Sequence, residues 1–215
     1  MSILVPMLYL PPLSYMALLH VAGEACIESQ ENYIKSTYRN RCEILGSNGI
    51  IDLSIPIVGG RDHHQLYCDT KIAYDNNWQH RHYMSILSCY GSAPFSEHYM
   101  PYLQPFYEQQ HTSLFEYNKQ LLDLLIRLMK LNVTLTYTDT YEKEPIAKTD
   151  LRKAFRPSYD LTEVMIAENK YMIREVPYMR VFDNESHSLH LSSLDLLFNE
   201  GPQSKKILEQ MIVSV

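Results

Sequence analysis

SILVPMLYLPPLSYMALLHVAGEACIE, residues 2–28, is the stretch on which the reading of the fold turns. Residues 2–8 form a short apolar run with β-branched members, closed off by Pro11 and Pro12. Such a run reads as a buried strand, and Pro6 places it near a sheet edge. Residues 13–21 suit a short helix that starts after Pro12, with Ser14 in its first turn. Residues 24–28 read as a second strand. Strand, helix, strand is a Rossmann-like opening, and it predicts an α/β fold with a partly parallel sheet flanked by helices.

Downstream, residues 38–45, the turn Ser47-Asn48-Gly49 and residues 50–58 read as an antiparallel hairpin, because Asn-Gly is a strong hairpin-turn signal. A mobile loop is expected at residues 59–64 and a further strand at 65–73. Asn76 or Asn77 is placed to cap a helix over residues 78–90, ended by Gly91 and Pro94. Ser96 is placed to cap another, which Pro101 and Pro105 would shorten or bend. Ser113 precedes the clearest helix, in which Leu114, Tyr117, Leu121, Leu124, Leu125 and Leu128 make one apolar stripe. Residues 133–137 alternate as a strand does. Residues 138–175 are polar and charged without periodicity and read as a long loop or lid, whose Arg152, Lys153 and Arg156 either form a solvated face or reach back toward a ligand. A short helix with a Gly-Pro stop and a final amphipathic helix close the chain, which is taken as one domain over residues 1–215.

Composition narrows the function. With 215 residues the chain can bury a sizeable core. A net charge of −6 argues against nucleic acid as a partner. Four cysteines without a C-x-x-C pair argue against structural zinc and against a secreted disulfide scaffold. The apolar start lacks a basic flank and is broken by Pro11 and Pro12, so neither a signal sequence nor a membrane span is expected, and the chain reads as cytoplasmic. Seventeen tyrosines suit half-buried walls, where a ring packs and a hydroxyl bonds.

The candidate site begins where the second strand ends. In open parallel sheets ligands sit beyond the carboxyl ends of the strands, so the proline-rich loop after the first strand and the polar stretch 28–41 should emerge side by side. Lys35, Arg39 and Arg41 arrive together there, with Asn40 between the arginines. Were that stretch to begin the hairpin, Arg39 and Arg41 would project to one side, and two guanidiniums suit a diphosphate or another small anion. Ion pairing of these cations with Glu28, Glu31 or Glu43 is the competing reading. Glu28 is a candidate carboxylate base. Trp78 and His82 share a helix face, and His82 is a candidate general acid/base or, alternatively, a histidine bonded to a carbonyl beside a packed tryptophan. Asp62, His63, His64 and Asp69 resemble metal ligands only in composition, and no metal site is assigned. Asp195 and Asn199 share a face of the penultimate helix and are placed to hold a polar loop.

Several blocks resemble the WbqC-like proteins. Their opening pattern, roughly Q-P-x-x-x-P-x-x-G-Y-F, stands here as LYLPPLSY, residues 8–15, without the Gln-Pro pair and the glycine. Glu28-Ser29-Gln30, Tyr33-Ile34-Lys35 and Tyr38-Arg39-Asn40-Arg41 follow the second block. Trp78, His82, Tyr90-Gly91 and Ala93-Pro94-Phe95 follow the third, and LSSLDLLFNEGP, residues 191–202, follows the closing one. The resemblance implies an association with bacterial surface-polysaccharide and O-antigen synthesis, as a transferase acting on an amino-sugar nucleotide. By position it adds Tyr15, Gln30, Trp78 and Tyr90 to Lys35, Arg39, Asn40 and Arg41 as expected ligand-binding residues. The alternative is a non-catalytic member that binds a metabolite or a partner protein. The sequence names no cofactor and leaves the oligomeric state open.

Overall fold

A computed structural model describes residues 2–59, 65–145, 149–157, 162–166, 169–182 and 189–214. The opening unit is β1 (Ser2–Pro6), α1 (Leu13–Ala22) and β2 (Glu24–Glu28). β1 and β2 pair in parallel from Ser2 opposite Glu24 to Pro6 opposite Glu28. β5 (Thr134–Tyr137) adds to β2 and the two-residue β6 (Thr149–Asp150) adds to β1, both in parallel. The sheet order is therefore β5-β2-β1-β6. β1 is thus an inner strand rather than an edge. Pro6 is tolerated there because it occupies the last position, where little ladder remains to be broken. α1 is apolar on nearly every face, and Leu13 to Leu19 are all buried, as expected of a helix enclosed on all sides.

β3 (Arg41–Gly46) and β4 (Gly49–Ser54) form the antiparallel hairpin. Its left-handed step falls on Gly49, at φ 113°, and not on Asn48. The strand expected over residues 65–73 is absent; that stretch makes single bridges only, Asn32 with Leu66, Ile57 with Ile72 and Lys71 with Ser113. Tertiary pairing with three separate segments replaces a continuous ladder.

α2 (Trp78–Tyr90), α3 (Ser96–Glu108) and α4 (Leu114–Leu128) follow the helical periodicity. Ser113 caps α4 by accepting from the Glu116 amide. α3 continues through Pro101 and Pro105, because Tyr99, Met100, Leu103 and Tyr107 bury its inner face. The expected loop at 138–175 is only partly a loop. It contains β6, β7 (Glu163–Ile166) and β8 (Asn169–Ile173), and β8 also pairs with β9 (Ile212–Ser214). The alternation is legible in hindsight: Val164 and Ile166 are buried, whereas Glu163 and Met165 are exposed.

α5 (Ser193–Glu200) leads through a 3-10 turn at Gly201–Gln203 into α6 (Ser204–Met211). Gly201 has φ 50°, and a Cβ there would lie 2.6 Å from the Phe95 ring. Gly201→Ala should therefore lower stability by about 2 kcal/mol or more, through overpacking and a left-handed backbone. Urea unfolding of the variant tests this, and a loss below about 0.5 kcal/mol, the range of a neutral surface change, would refute it. Asp195 and Asn199 hold the segment of residues 178–181 rather than the polar stretch 28–41. Tyr178 donates to the Asp195 carboxylate, Arg180 approaches it at 3.3 Å, and Asn199 accepts from the Val181 amide.

Candidate functional site

The strand order turns back between β1 and β6, and open sheets of this kind leave a ligand crevice at such a point. Here the crevice is filled. The loop after β1 brings α1 in with Tyr15 in its first turn. The Tyr15 hydroxyl donates to the Pro6 carbonyl, and its ring meets Phe155 edge-on at 4.9 Å. The first amides of α1, which bind phosphate in dinucleotide folds, donate instead to protein carbonyls: Leu13 to Leu191 at 3.0 Å and Ser14 to Leu189 at 3.3 Å. Tyr15 is therefore a buried packing residue at the position where a ligand was expected.

An open cleft lies on the other side of β1, where β2 and β5 end. It has a volume of about 300 Å³ and is lined by Leu4, Glu28, Tyr137, Thr138, Asp139, Thr140, Glu142 and Pro145. Glu28 is the one charged residue of this set that is buried. Its Oε1 accepts from the Gln30 amide at 2.9 Å and from Thr138 Oγ1 at 2.7 Å, and its Oε2 accepts from Arg152 at 3.0 Å. Arg152 in turn forks onto Asp150, with bonds of 2.9 and 2.8 Å. That pairing holds the Asp150 carboxyl below its usual range despite partial burial. Among the described residues lining the cleft there is no lysine or arginine, so its polar groups are hydroxyls and carboxylates, beside the apolar Leu4 and Pro145.

The polar stretch behaves differently from its sequence reading. Arg39 precedes β3 and is fully buried, whereas Arg41 opens β3 and is exposed, so the two guanidiniums do not share a face. Arg39 forks onto Glu31 through Nε at 2.8 Å and Nη2 at 2.7 Å. Burial pushes the Glu31 carboxyl up, and Arg39 pulls against that rise. Asn40 donates to the Ile55 carbonyl at 2.8 Å and so ties the hairpin's two ends. Lys35 is half-buried, and Gln30 donates to Ser29 Oγ. The stretch is thus largely an internal clamp, and the ion-pair reading of Arg39 holds.

Trp78, His82 and Tyr90 all lie in the core. His82 Nδ1 meets the Tyr9 hydroxyl at 3.0 Å, Tyr9 meets Tyr107 at 2.9 Å, and the imidazole also bonds the backbone of Ser54. Burial lowers its pKa to about 4. The Trp78 ring stands edge-on to it at 5.1 Å. This is the histidine packed beside a tryptophan and bonded to a carbonyl, and it is not among the residues lining the cleft. Tyr90 stacks on Phe198 at 5.3 Å, and its oxygen accepts from the Leu45 amide. Of the residues singled out in the sequence, Glu28 is the one that reaches the cleft wall. Thr138, Asp139 and Glu142 were missed as a set because they lie in the aperiodic stretch that follows β5. The four cysteines are free thiols, no group of three potential metal ligands occurs among the described residues, and Asp62, His63 and His64 lie outside them. No described helix is long and apolar enough to cross a membrane.

A family model described as the WbqC-like protein family matches residues 7–172. The chain is also 29% identical over 136 residues to a Mycobacterium tuberculosis protein described as "Uncharacterized protein Rv1507c". That match takes in 62% of this chain and 58% of the relative, so the chain spans less than two thirds of that protein's length. No solved structure matches.

Proposed function

The chain belongs to the WbqC-like protein family, and from that premise we propose a group transferase that acts on a nucleotide-linked amino sugar in bacterial surface-polysaccharide synthesis. The observation that carries the reading is the cleft at the carboxyl ends of β2 and β5. Its threonine hydroxyls and its carboxylates Glu28, Asp139 and Glu142 are the groups that meet sugar hydroxyls and an amine. The sugar occupies this cleft. Its diphosphate is excluded from the first turn of α1, where the amides are already bonded. Glu28 is the carboxylate that faces the sugar. His82 serves the fold from the core.

Thermal unfolding in the presence of a nucleoside-diphosphate amino sugar, the free amino sugar and the nucleoside diphosphate tests this. A ligand at a hundred times its dissociation constant adds about 2.7 kcal/mol of stability. The expected result is a shift with the sugar-bearing compounds that is lost in the Asp139→Asn, Glu142→Gln double variant. An equal shift in that variant, or no shift across the panel, overturns the reading. A second reading, a non-catalytic binding member, is favoured by one observation: the His82 imidazole already bonds Tyr9 and the Ser54 backbone, and three acceptor directions of Glu28 are engaged. Binding without turnover of any donor and acceptor pair would select it.

A further inference from the structure

Arg152 joins every segment around the cleft. Its Nε and Nη2 hold Asp150 at the end of β6, its Nη1 holds Glu28 at the end of β2, and Nη2 also donates to the Lys143 carbonyl at 3.2 Å. The Tyr141 ring covers the guanidinium face, 4.8 Å from Cζ to the ring centroid. Both edges and one face of the group are thus engaged, and the side chain is only 6% exposed. This exceeds what sheet packing requires, because β6 already pairs with β1 through its backbone.

Glu28 gains a defined orientation from the arrangement. Its Oε1 is saturated by Gln30 and Thr138, while Oε2 carries the single bond from Arg152. A carboxylate oxygen accepts in two directions, so one acceptor direction of Oε2 remains for an incoming donor. Residues 139–144, by contrast, are exposed and in no described strand or helix, and the described bonds of Arg152 to Tyr141 and Lys143 fasten that strap to the sheet.

We propose that Arg152 is the positioning residue of the cleft: it aims Glu28 Oε2 and clasps the strap of residues 139–144 over the ends of β2 and β5. The proposal rests on the reading of the cleft as the ligand site, but its first test does not. Arginine is needed because only a planar fork can hold Asp150, Glu28 and a carbonyl at once; lysine supplies the charge as a single point. Local opening of such a strap is governed by the few contacts that fasten it, and limited proteolysis reports it.

Limited trypsin digestion of the full chain, compared between wild type, Arg152→Gln and Arg152→Lys, is the experiment, read as the rate of cleavage after Lys143. That rate should rise tenfold or more in Arg152→Gln and by a smaller factor in Arg152→Lys, with cleavage after Lys119 in α4 within twofold of wild type. Gly201→Ala, destabilised elsewhere, should leave cleavage after Lys143 within twofold of wild type. An unchanged rate after Lys143 in Arg152→Gln, or a uniform rise at every site, overturns the clasp. If Arg152→Gln does not fold, the lysine variant decides alone: wild-type cleavage after Lys143 refutes the proposal. The free amino sugar is then the binding probe. Equal binding by wild type and Arg152→Lys defeats the positioning role while the cleft reading stands. A loosened strap in a protein that binds no sugar upholds the clasp and defeats the cleft reading.

Discussion

Glu31→Ala should unfold this protein about 3–5 kcal/mol more easily than wild type, the cost of stranding a buried charge. The argument rests on Arg39, whose side chain is 0% exposed while that of Glu31 is 6% exposed. With Glu31 gone, Nε and Nη2 of Arg39 lose both carboxylate oxygens, and Thr37 Oγ1 at 3.3 Å is left as a neutral acceptor. Arg39→Met strands Glu31 instead, with its carboxyl already pushed up by burial, so that variant can relieve part of the penalty by taking up a proton. The two single changes therefore differ in sign with pH: Arg39→Met should be rescued in part by mild acid, and Glu31→Ala should not. A double variant, Glu31→Leu with Arg39→Met, should recover most of the loss, since replacing both partners removes the desolvation problem. Urea unfolding at two pH values measures all four proteins. A cost below about 1 kcal/mol, as found for surface pairs, would show that water reaches the pair.

His82 sets the second large effect. Its folded pKa of about 4 lies below the ordinary value of 6.5, so between these values the unfolded chain holds a proton that the folded chain excludes. Stability contributed by neutral His82 is therefore complete above pH 6.5 and is lost as the pH falls towards 4, by about 3 kcal/mol in all. The cause is geometric as well as dielectric. Nδ1 is the acceptor available to the Tyr9 hydroxyl, and protonation would turn that nitrogen into a donor facing an oxygen that also bonds Tyr107. His82→Gln keeps an acceptor and a donor and does not titrate. Carboxylates such as Asp150 add acid sensitivity of the same sign, so the measurement is the difference between wild type and His82→Gln in unfolding free energy at pH 7 and pH 4.5. The gap between the two proteins should narrow on acidification, and parallel curves would sink the assignment.

The opening of the fold was legible because β1, α1 and β2 each carry a signal that is local: an apolar run, a proline start, a second run. The same holds for α4, whose serine cap and apolar stripe lie in one short window; α2 forms as expected, but Asn77 makes no side-chain cap bond. What could not be read was pairing at a distance. Arg39 looks like a ligand-binding arginine in any window of the sequence; only Glu31 folded against it shows where its fork points. Arg152 reads as part of a solvated face because, beyond its neighbour Asp150, its anchors Glu28 and Lys143 are brought to it by the fold and not by spacing. The short strands β6, β7 and β8 were hidden for a related reason. A two- to five-residue strand carries too few alternations to rise above a charged background. Glu28 was found because the end of a parallel strand is itself a positional signal.

The carbonyls of Leu189 and Leu191 that complete the first turn of α1 also set an order of events. The hydroxyl of Ser14 bonds Leu189 across 175 positions of sequence. During synthesis this strand–helix–strand unit emerges well before residues 189–191, and its helix end stays open until they follow. Long-range closure of this kind is slow compared with local helix formation. Until those residues emerge, the nascent chain therefore presents an apolar helix with open amides, the form in which chaperones would meet it.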